Sequence, residues 1–404
     1  MESGRIERNP LAPEPAPAPR AGQELEREAA ERLDEIRQYF KDRYARRDVV
    51  ARTTTATGEE LDWVPAGSHA EPPDLEGPQP PGDPGRPRSP QTFEQAGHQA
   101  ETGPPGTVPV VRRPLDDITA TGTLEDYLAK GTRAKRFTPP DDIGPETRAA
   151  AAVHKYAHAA QWVANFGTEG FINTWRPYVQ WSNEFSLGQL WVVRGSGSGT
   201  DLQTVEVGAQ TYRDLYGDWY PHLFIFYTTN NYTHSGDNFG GYNTDVNGWQ
   251  QTSQRVYPTA RLAESAYGGV QYDLALKVTL YNGNWWVRVG DEWMGYYPAA
   301  LFNSTGLHDQ AQVVDWGGEI VDDVTNHPEA TSTWMGSGHF PNEGWSRAAS
   351  MHNLAYQSDS AGTMAGFRGN PSVTNTNAYQ ITTDFSGTTT WGSFMYWGGP
   401  GGVE

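Results

Sequence analysis

The 404-residue chain contains no cysteine, which removes disulfides, thiol nucleophiles and Cys-ligated zinc or iron–sulfur sites together. This leaves the compartment open, because a sufficiently large core needs no covalent staples in any redox environment. Positive charge is also short: 30 Lys and Arg stand against 49 Asp and Glu, a net charge of −19. A ligand that must be held by phosphate neutralisation is therefore excluded, and no nucleic-acid partner is expected. No apolar run is long enough to span a bilayer, so no membrane partner is expected, and Met1 to Arg20 lacks the apolar stretch of an ordinary secretory leader.

Tryptophan is nearly missing from the first part. Only Trp63 of 15 precedes residue 152, so the aromatic residues that build a core sit in residues 152–404. That part has 10 Lys and Arg against 22 Asp and Glu, with Lys155 and Lys277 its only lysines. A lysine-poor, carboxylate-rich globule suits work in acid, where partial protonation lowers self-repulsion.

Before the globule, Leu25, Ala29, Leu33, Ile36, Phe40 and Tyr44 recur every three or four residues and predict an amphipathic helix over 23–47. Its aromatic edge needs a surface to pack on, and the globule is the nearest. A turn at Gly58 and a short strand to Val64 follow. Residues 1–70 are thus read as one segment, and 71–140, dominated by Pro and Gly, as a linker. A second helix is expected from about Pro145 to Val163.

The globule repeats a strand grammar. Tyr272, Leu274, Leu276, Val278 and Leu280 alternate with more polar residues before Asn282-Gly283 turns the chain into Trp285–Val289, a strong hairpin signal. Further strands are legible over 185–193, 204–212, 222–228, 294–297, 312–321 and 393–397. Many short strands with few helices predict a mostly β fold, an antiparallel β-sandwich preceded by the helical and Pro-rich N-terminal segment.

The familiar nucleophile and metal signatures fail. The centre of Gly195–Gly199 is Gly197, not the serine of a nucleophile elbow. No P-loop or HExxH helix occurs; His154 and His158 have i, i+4 spacing without the glutamate or a third ligand, and read as a solvated helix face. No metal or cofactor is therefore expected. Carboxylates remain. In the strand TVEVGAQTY, Glu206 shares the polar face with Thr204, Gly208 and Gln210; in QVVDWGGEIV, Glu319 shares a face with Asp315 and Gly317. Glycines inside strands mark close approach to the sheet, so two glutamates beside glycines can form a paired-carboxylate cleft.

At this point the chain resembles the neprosin family of plant prolyl endopeptidases. The resemblance lies in Leu202–Gly208, Leu215–Asp218, Phe226–Thr229, Gly240–Asn243, Gly295–Pro298, Trp316–Glu319, Met335–Pro341 and Gly398–Gly401, in consistent order over 152–404. More faintly, Gly58–Val64 resembles the end of the family's activation segment. The resemblance implies a sandwich with a glutamate pair in a cleft, cleaving protein or peptide substrates next to proline in acid. Carried over by position, the first catalytic glutamate is Glu206 and the second Glu319, with Glu343 in GHFPNEGW as the competing second choice. Glu206 is taken as the water-activating base and Glu319 as the proton-bearing partner, an order that the sequence leaves exchangeable. Trp316 is taken as substrate-binding by its position beside Glu319.

Two departures stand out. Gly241 and Val246 occupy what look like the family's paired cysteine positions, and Ala209 replaces the aromatic that often follows the first Glu-x-Gly, which bears on proline preference if that side chain shapes the site. The resemblance also implies an extracellular protein, and the dibasic Arg112-Arg113 suggests where an inhibitory segment reaching to about residue 140 could be processed. A non-catalytic, aromatic-rich sandwich that binds carbohydrate or extended peptide is the competing reading.

Overall fold

Alternation of apolar and polar residues through the globule builds two antiparallel sheets that face each other, and the N-terminal segment folds onto one of them. The computed structural model describes residues 23–67, 103–119, 122–131, 154–195, 200–323 and 330–402. In chain order, the N-terminal unit comprises α1 (Gln23–Arg46), β1 (Ala51–Thr54), β2 (Glu60–Pro65), β3 (Thr107–Arg112) and α2 (Leu124–Leu128). The sandwich follows with β4 (His154–Asn165), β5 (Gly167–Asn173), β6 (Ser186–Arg194), β7 (Gln203–Thr211), β8 (His222–Thr228), β9 (Gly240–Tyr242), β10 (Gln250–Gln251), β11 (Asp273–Tyr281), β12 (Asn284–Val289) and β13 (Glu292–Pro298). Then come β14 (Ala311–Val321), β15 (Ala349–Gln357), β16 (Met364–Gly366), β17 (Asn370–Val373), β18 (Gln380–Asp384) and β19 (Phe394–Gly398).

One sheet runs β17-β4-β14-β6-β7-β8-β9; the other runs β10-β13-β12-β11-β5-β15-β19-β18, with β16 on β15. The hairpin read from sequence is present in register: Tyr281 pairs with Asn284, and Asn282 and Gly283 both have positive φ (48° and 70°), as a two-residue turn of the primed type requires. The inner faces supply Leu190, Val192, Val205, Val207 and Trp316 from the first sheet and Ile172, Leu276, Val278, Met351 and Trp397 from the second, all buried in one core. Trp397 fits over glycines of the facing sheet: a Cβ on Gly318 would lie 2.2 Å from its ring, and one on Gly188 2.8 Å. No helix among the described residues is long and apolar enough to cross a membrane.

The N-terminal unit docks on the first sheet. Leu33, Ile36, Phe40 and Tyr44 of α1 join the same core as Phe224, Phe226 and Tyr242, together with Tyr127 and Leu128 of α2. Each such side chain is worth roughly 1.5–3 kcal/mol of burial before entropy is counted. Polar contacts fix the register of docking: Arg43 meets Asp237 at 2.9 Å and the Tyr39 hydroxyl donates to the Asp245 carbonyl at 2.7 Å. The three strands β1-β2-β3 are tied by Asp62, whose fully buried carboxylate receives Arg47, Arg52 and Arg112 at 3.1, 3.0 and 3.0 Å.

Three expectations change. The helix expected over 145–163 is strand β4 from His154 onward, because the pairing offered by β14 and β17 outweighs the helix propensity of its alanines; residues 145–153 lie outside the described residues. Of the linker expected over 71–140, residues 103–119 and 122–131 are instead folded parts of the N-terminal unit, with Val108 and Val110 buried in β3, and the rest lies outside the described residues. Arg112-Arg113 is not an exposed processing point: Arg112 pairs with Asp62, and buried Arg113 donates to the Tyr127 hydroxyl and lies 3.5 Å from Asp245. Of the glycine-serine turn at 195–199, residues 196–199 lie outside the described residues.

Candidate active site

Strand register decides which side chains share the outer face of the first sheet. On central strand β6, Trp191 lies opposite Glu206 of β7 on one side and Asp315 of β14 on the other; Gln189 lies opposite Gly208 and Gly317, and Leu187 opposite Glu319. Strand β4 adds Tyr156, opposite Glu319, and His158, opposite Gly317. Glu206 and Glu319 therefore stand diagonally across β6, with Gln189 between them. The glycines are required, though by neighbouring strands: a Cβ on Gly208 would lie 2.0 Å from the Gly188 carbonyl, and one on Gly317 2.4 Å from His158 Cα. The close approach inferred from sequence is backbone against backbone.

Between the two carboxylates lies Lys130. The α2 turn that delivers it is capped by Thr123, whose side chain accepts from the Asp126 N–H while the Asp126 carboxylate accepts from the Thr123 N–H. After Leu128 the backbone extends at Ala129, and Gly131, at φ +73°, turns against Val321, His154 and Phe185, where a Cβ would stand 2.8 Å from Val321. Lys130 Nζ is 2.5 Å from Glu206 Oε2 and 2.6 Å from Glu319 Oε2, with Gln189 Oε1 at 3.3 Å and the Trp191 ring centroid at 5.8 Å. All three charged side chains are buried. Burial alone would depress the ammonium, but the Glu206 and Glu319 carboxylates hold it above its ordinary value.

The two glutamates differ in their other partners. Glu319 Oε1 is 2.6 Å from His154 Nδ1, and its Oε2 accepts from Gln189 Nε2 at 2.8 Å. Burial pushes its carboxyl up, and Lys130 and His154 pull it down to about 2. Burial and the two nearby carboxylates raise the Tyr156 phenol well above its ordinary value. Glu206 Oε1 instead accepts from the hydroxyls of Tyr232 at 2.7 Å and Thr204 at 2.8 Å. Farther along the face, His158 pairs with Asp315 at 2.7 Å and stacks on Trp191. Asp315 holds this imidazole above its ordinary value against the opposing effect of burial.

The sequence-derived pair thus meets at one cation. Glu343 does not join it: it lies in the 341–343 turn, bound to His339 at 2.8 Å and the Tyr267 hydroxyl at 2.8 Å. Trp316 is corrected as well. It points to the opposite face of β14 from Glu319, is fully buried between the sheets and donates to Thr168 Oγ1 at 2.9 Å; the tryptophan beside the carboxylates is Trp191. Ala209 likewise alternates away from Glu206. His154 and His158, read as a solvated helix face, are buried strand residues on the site's own face. Lys130, Gln189, Tyr156 and Tyr232 escaped sequence reasoning altogether. The spacing of His154, Tyr156 and His158 carried a period-two signal that the surrounding alanines concealed.

Gly241 and Val246, the positions resembling a lost cysteine pair, are neighbours: a Cβ on Gly241 would lie 2.8 Å from Val246 Cγ1. The described residues contain no group of three or more His, Asp or Glu side chains arranged to hold a metal ion.

Comparison with known proteins gives two findings. The Neprosin family model matches residues 182–400, just over half of the chain, and spans Glu206, Glu319, Gln189 and Trp191. Among solved structures, the chain is similar to CG-16, a homodimeric agglutinin from chicken liver, at 8% identity and a TM-score of 0.22, over 41% of this chain and 96% of that one.

Proposed function

Starting from the chain's membership of the neprosin family, which makes its function peptidase-like, we propose that it is an acid-acting endopeptidase of the glutamic type, cutting next to proline, whose N-terminal unit holds it inactive. The observation that carries this reading is the convergence of Glu206 and Glu319 on the single Lys130 ammonium, at 2.5 and 2.6 Å. Two carboxylates that converge on one cation are, once that cation leaves, near enough that joint ionisation is disfavoured and one proton is retained by the pair.

A shared proton is what metal-free peptide hydrolysis needs: one carboxylate takes a proton from water as the water oxygen attacks the carbonyl, and the other supplies a proton to the departing nitrogen. Activity then belongs to the pH range in which the pair is singly protonated, which favours acid. Trp191, on the carboxylate face, offers a flat ring against which a pyrrolidine can pack.

Inhibition follows from where Lys130 resides. Its ammonium fills the position of the attacking water and engages both carboxylates, and the unit that carries it is anchored by the buried face of α1. Removing Lys130 with that unit requires a cut within 131–153. An extracellular destination belongs to the same reading, supported by the family and the acidic, lysine-poor globule. The test is hydrolysis of a proline-containing peptide by acid-treated full-length protein against Glu206→Gln and Glu319→Gln; an unchanged rate in Glu206→Gln defeats the assignment.

A further inference from the structure

The surroundings of the two carboxylates are unequal in a way that Lys130 conceals. With the ammonium gone, Glu319 keeps two nitrogen partners on different oxygens, His154 Nδ1 at 2.6 Å on Oε1 and Gln189 Nε2 at 2.8 Å on Oε2. Glu206 keeps two hydroxyls, Tyr232 and Thr204, both on Oε1, and its Oε2 retains no partner among the described residues. Donors spread over both oxygens favour the ionised form of a carboxyl, whereas an oxygen without a donor is where a proton can sit and from which it can be given away.

We infer that His154 and Gln189 are positioning residues that keep Glu319 ionised as the water-activating member of the pair, leaving Glu206 to carry the proton on Oε2. This inverts the order assumed from sequence, and it rests on the peptidase reading above. Among the described residues, nothing else on the face reverses the asymmetry. The titratable and charged groups facing Glu319 are Lys130 from the N-terminal unit, His154, Tyr156 and His158 from β4, Glu206 from β7 and Asp315 from its own strand, and His158 is already engaged by Asp315. The imidazole is itself held in place: it packs on Phe185 and stacks on Tyr156, and its Nε2 is buried without a partner in the described residues. Nδ1 is thus its one engaged ring nitrogen, and against a carboxylate that nitrogen is the donor.

The step balances without a further reactant. Water gives one proton to Glu319 while its oxygen bonds to the scissile carbonyl carbon; the C–N bond breaks as the Glu206 proton passes to nitrogen. The products are a carboxylic acid and an amine. The pair is left with its proton on Glu319, and one exchange through solvent returns it to Glu206.

The inference predicts which limb of the pH profile His154 controls. In kcat/KM, the acid limb reports ionisation of the base and the alkaline limb loss of the proton from the acid, as macroscopic values of the coupled pair. Acid-treated full-length wild type, His154→Asn and His154→Phe are compared on a proline-containing peptide. Asparagine can keep a donor near the Nδ1 position and phenylalanine cannot, so the acid limb should move to higher pH by about one unit or more in His154→Phe and by less in His154→Asn. A shift confined to the alkaline limb, or none in a folded His154→Phe, overturns the inference.

A second comparison stands if His154→Phe does not fold. A nitrophenyl ester departs without needing a proton, so Glu206→Gln should lose at least about tenfold less on that ester than on the peptide, while Glu319→Gln loses equally on both. The reverse pattern overturns the inference and leaves the peptidase reading intact. A wild type that cleaves neither substrate overturns both.

Discussion

Lys130 and Glu319 are 189 positions apart in sequence and 2.6 Å apart in space, and the second carboxylate on the same ammonium is Glu206. A cation from one unit thereby bridges a pair of acids in the other. In this buried setting the attraction is strong, and removing one partner alone leaves an uncompensated charge at a cost of about 3–5 kcal/mol. The contact therefore fastens the N-terminal unit to the sandwich.

Glu206→Gln and Glu319→Gln should each reduce turnover of a proline-containing peptide by about 10²–10⁴-fold, the usual worth of a general acid or base. The double variant should be little worse than either single one, because the pair acts as a unit. Glu343→Gln, whose partners His339 and Tyr267 lie elsewhere, should keep substantial activity. Steady-state rates beside melting temperatures separate this from a structural role, in which activity would fall only with the folded fraction.

The N-terminal unit should hold at neutral pH and loosen in acid. Against the upward push of burial, Lys130, with His154, holds Glu319 at about 2, so the docking stability drawn from the Lys130 contact is present above the ordinary glutamate value of about 4.3 and is lost as pH falls through the depressed one. Lys130 is raised, so its contribution is present below the ordinary lysine value of about 10.4 and is lost only as pH climbs past its raised value. Intact mass followed over time should show a stable chain near neutrality and loss of the N-terminal unit in acid. Lys130→Met should lose the unit at a pH where wild type remains whole; an intact, fully active wild-type chain in acid would contradict the inhibitory role.

Asp62 should act in the same direction from a different place. Burial pushes its carboxyl up, but Arg112, Arg52 and Arg47 hold it below the ordinary value; its contribution is thus lost as pH falls through that depressed value. Asp62→Asn removes the charge that three arginines share. The variant should release the unit faster than wild type at acidic pH above that depressed value, where the wild-type carboxylate is still ionised, and the difference should vanish below it, read by the same mass assay, with the rate on peptide unchanged once release is complete.

Trp316 and Trp191 should separate stability from activity. Trp316→Ala opens a cavity between the sheets and should destabilise the protein by about 3–5 kcal/mol in denaturant unfolding, whereas Trp316→Phe should leave KM unaltered. Trp191→Phe, on the carboxylate face, should change kcat/KM more than it changes the unfolding midpoint. A raised KM in a well-folded Trp316→Phe would return that residue to the substrate site.

Glu184 gives the sandwich a pH dependence of its own. Burial raises its carboxyl to about 8, against the lowering effect of the Thr333 hydroxyl and the Asp323 N–H, and Asp322 and Asp323 lie nearby. A carboxyl raised on folding contributes no penalty below its ordinary value of about 4.3, and stability falls as pH rises through that value toward 8. Melting temperature should decline over this range in wild type and decline less in Glu184→Gln.

Much of this architecture was legible in the residues because it is local. The alternation in 272–289 and the Asn282-Gly283 turn specified a hairpin, and the apolar spacing of α1 specified its buried face, since both depend on periods that neighbouring residues share. Glu206 and Glu319 could be singled out because each sits on a polar strand face beside glycine, in stretches that resemble the family. Lys130 was not, because nothing in its own neighbourhood marks it: its role exists only where a capped turn from one unit crosses a sheet of another. His154 and His158 failed for the opposite reason. Their alanine-rich surroundings spoke for a helix, and only hydrogen bonds offered by strands far along the chain reversed the outcome.

The apolar side chains of α1, Tyr127 and Leu128 of α2 and the outer aromatics of the first sheet belong to a single packed core. Lys130 follows Leu128 by two residues, so it cannot leave the carboxylates by a local movement that spares the rest. Unmasking the pair is then a cooperative transition, and its steepness in pH counts every proton the protein takes up on release. The carboxylate pair, which regains one shared proton when Lys130 leaves, and Asp62, whose arginine partners separate as the unit opens, together make that number greater than one. The protein should accordingly pass from latent to active over a narrower span of pH than a single titrating group allows, behaving as a threshold rather than as a gradual titration.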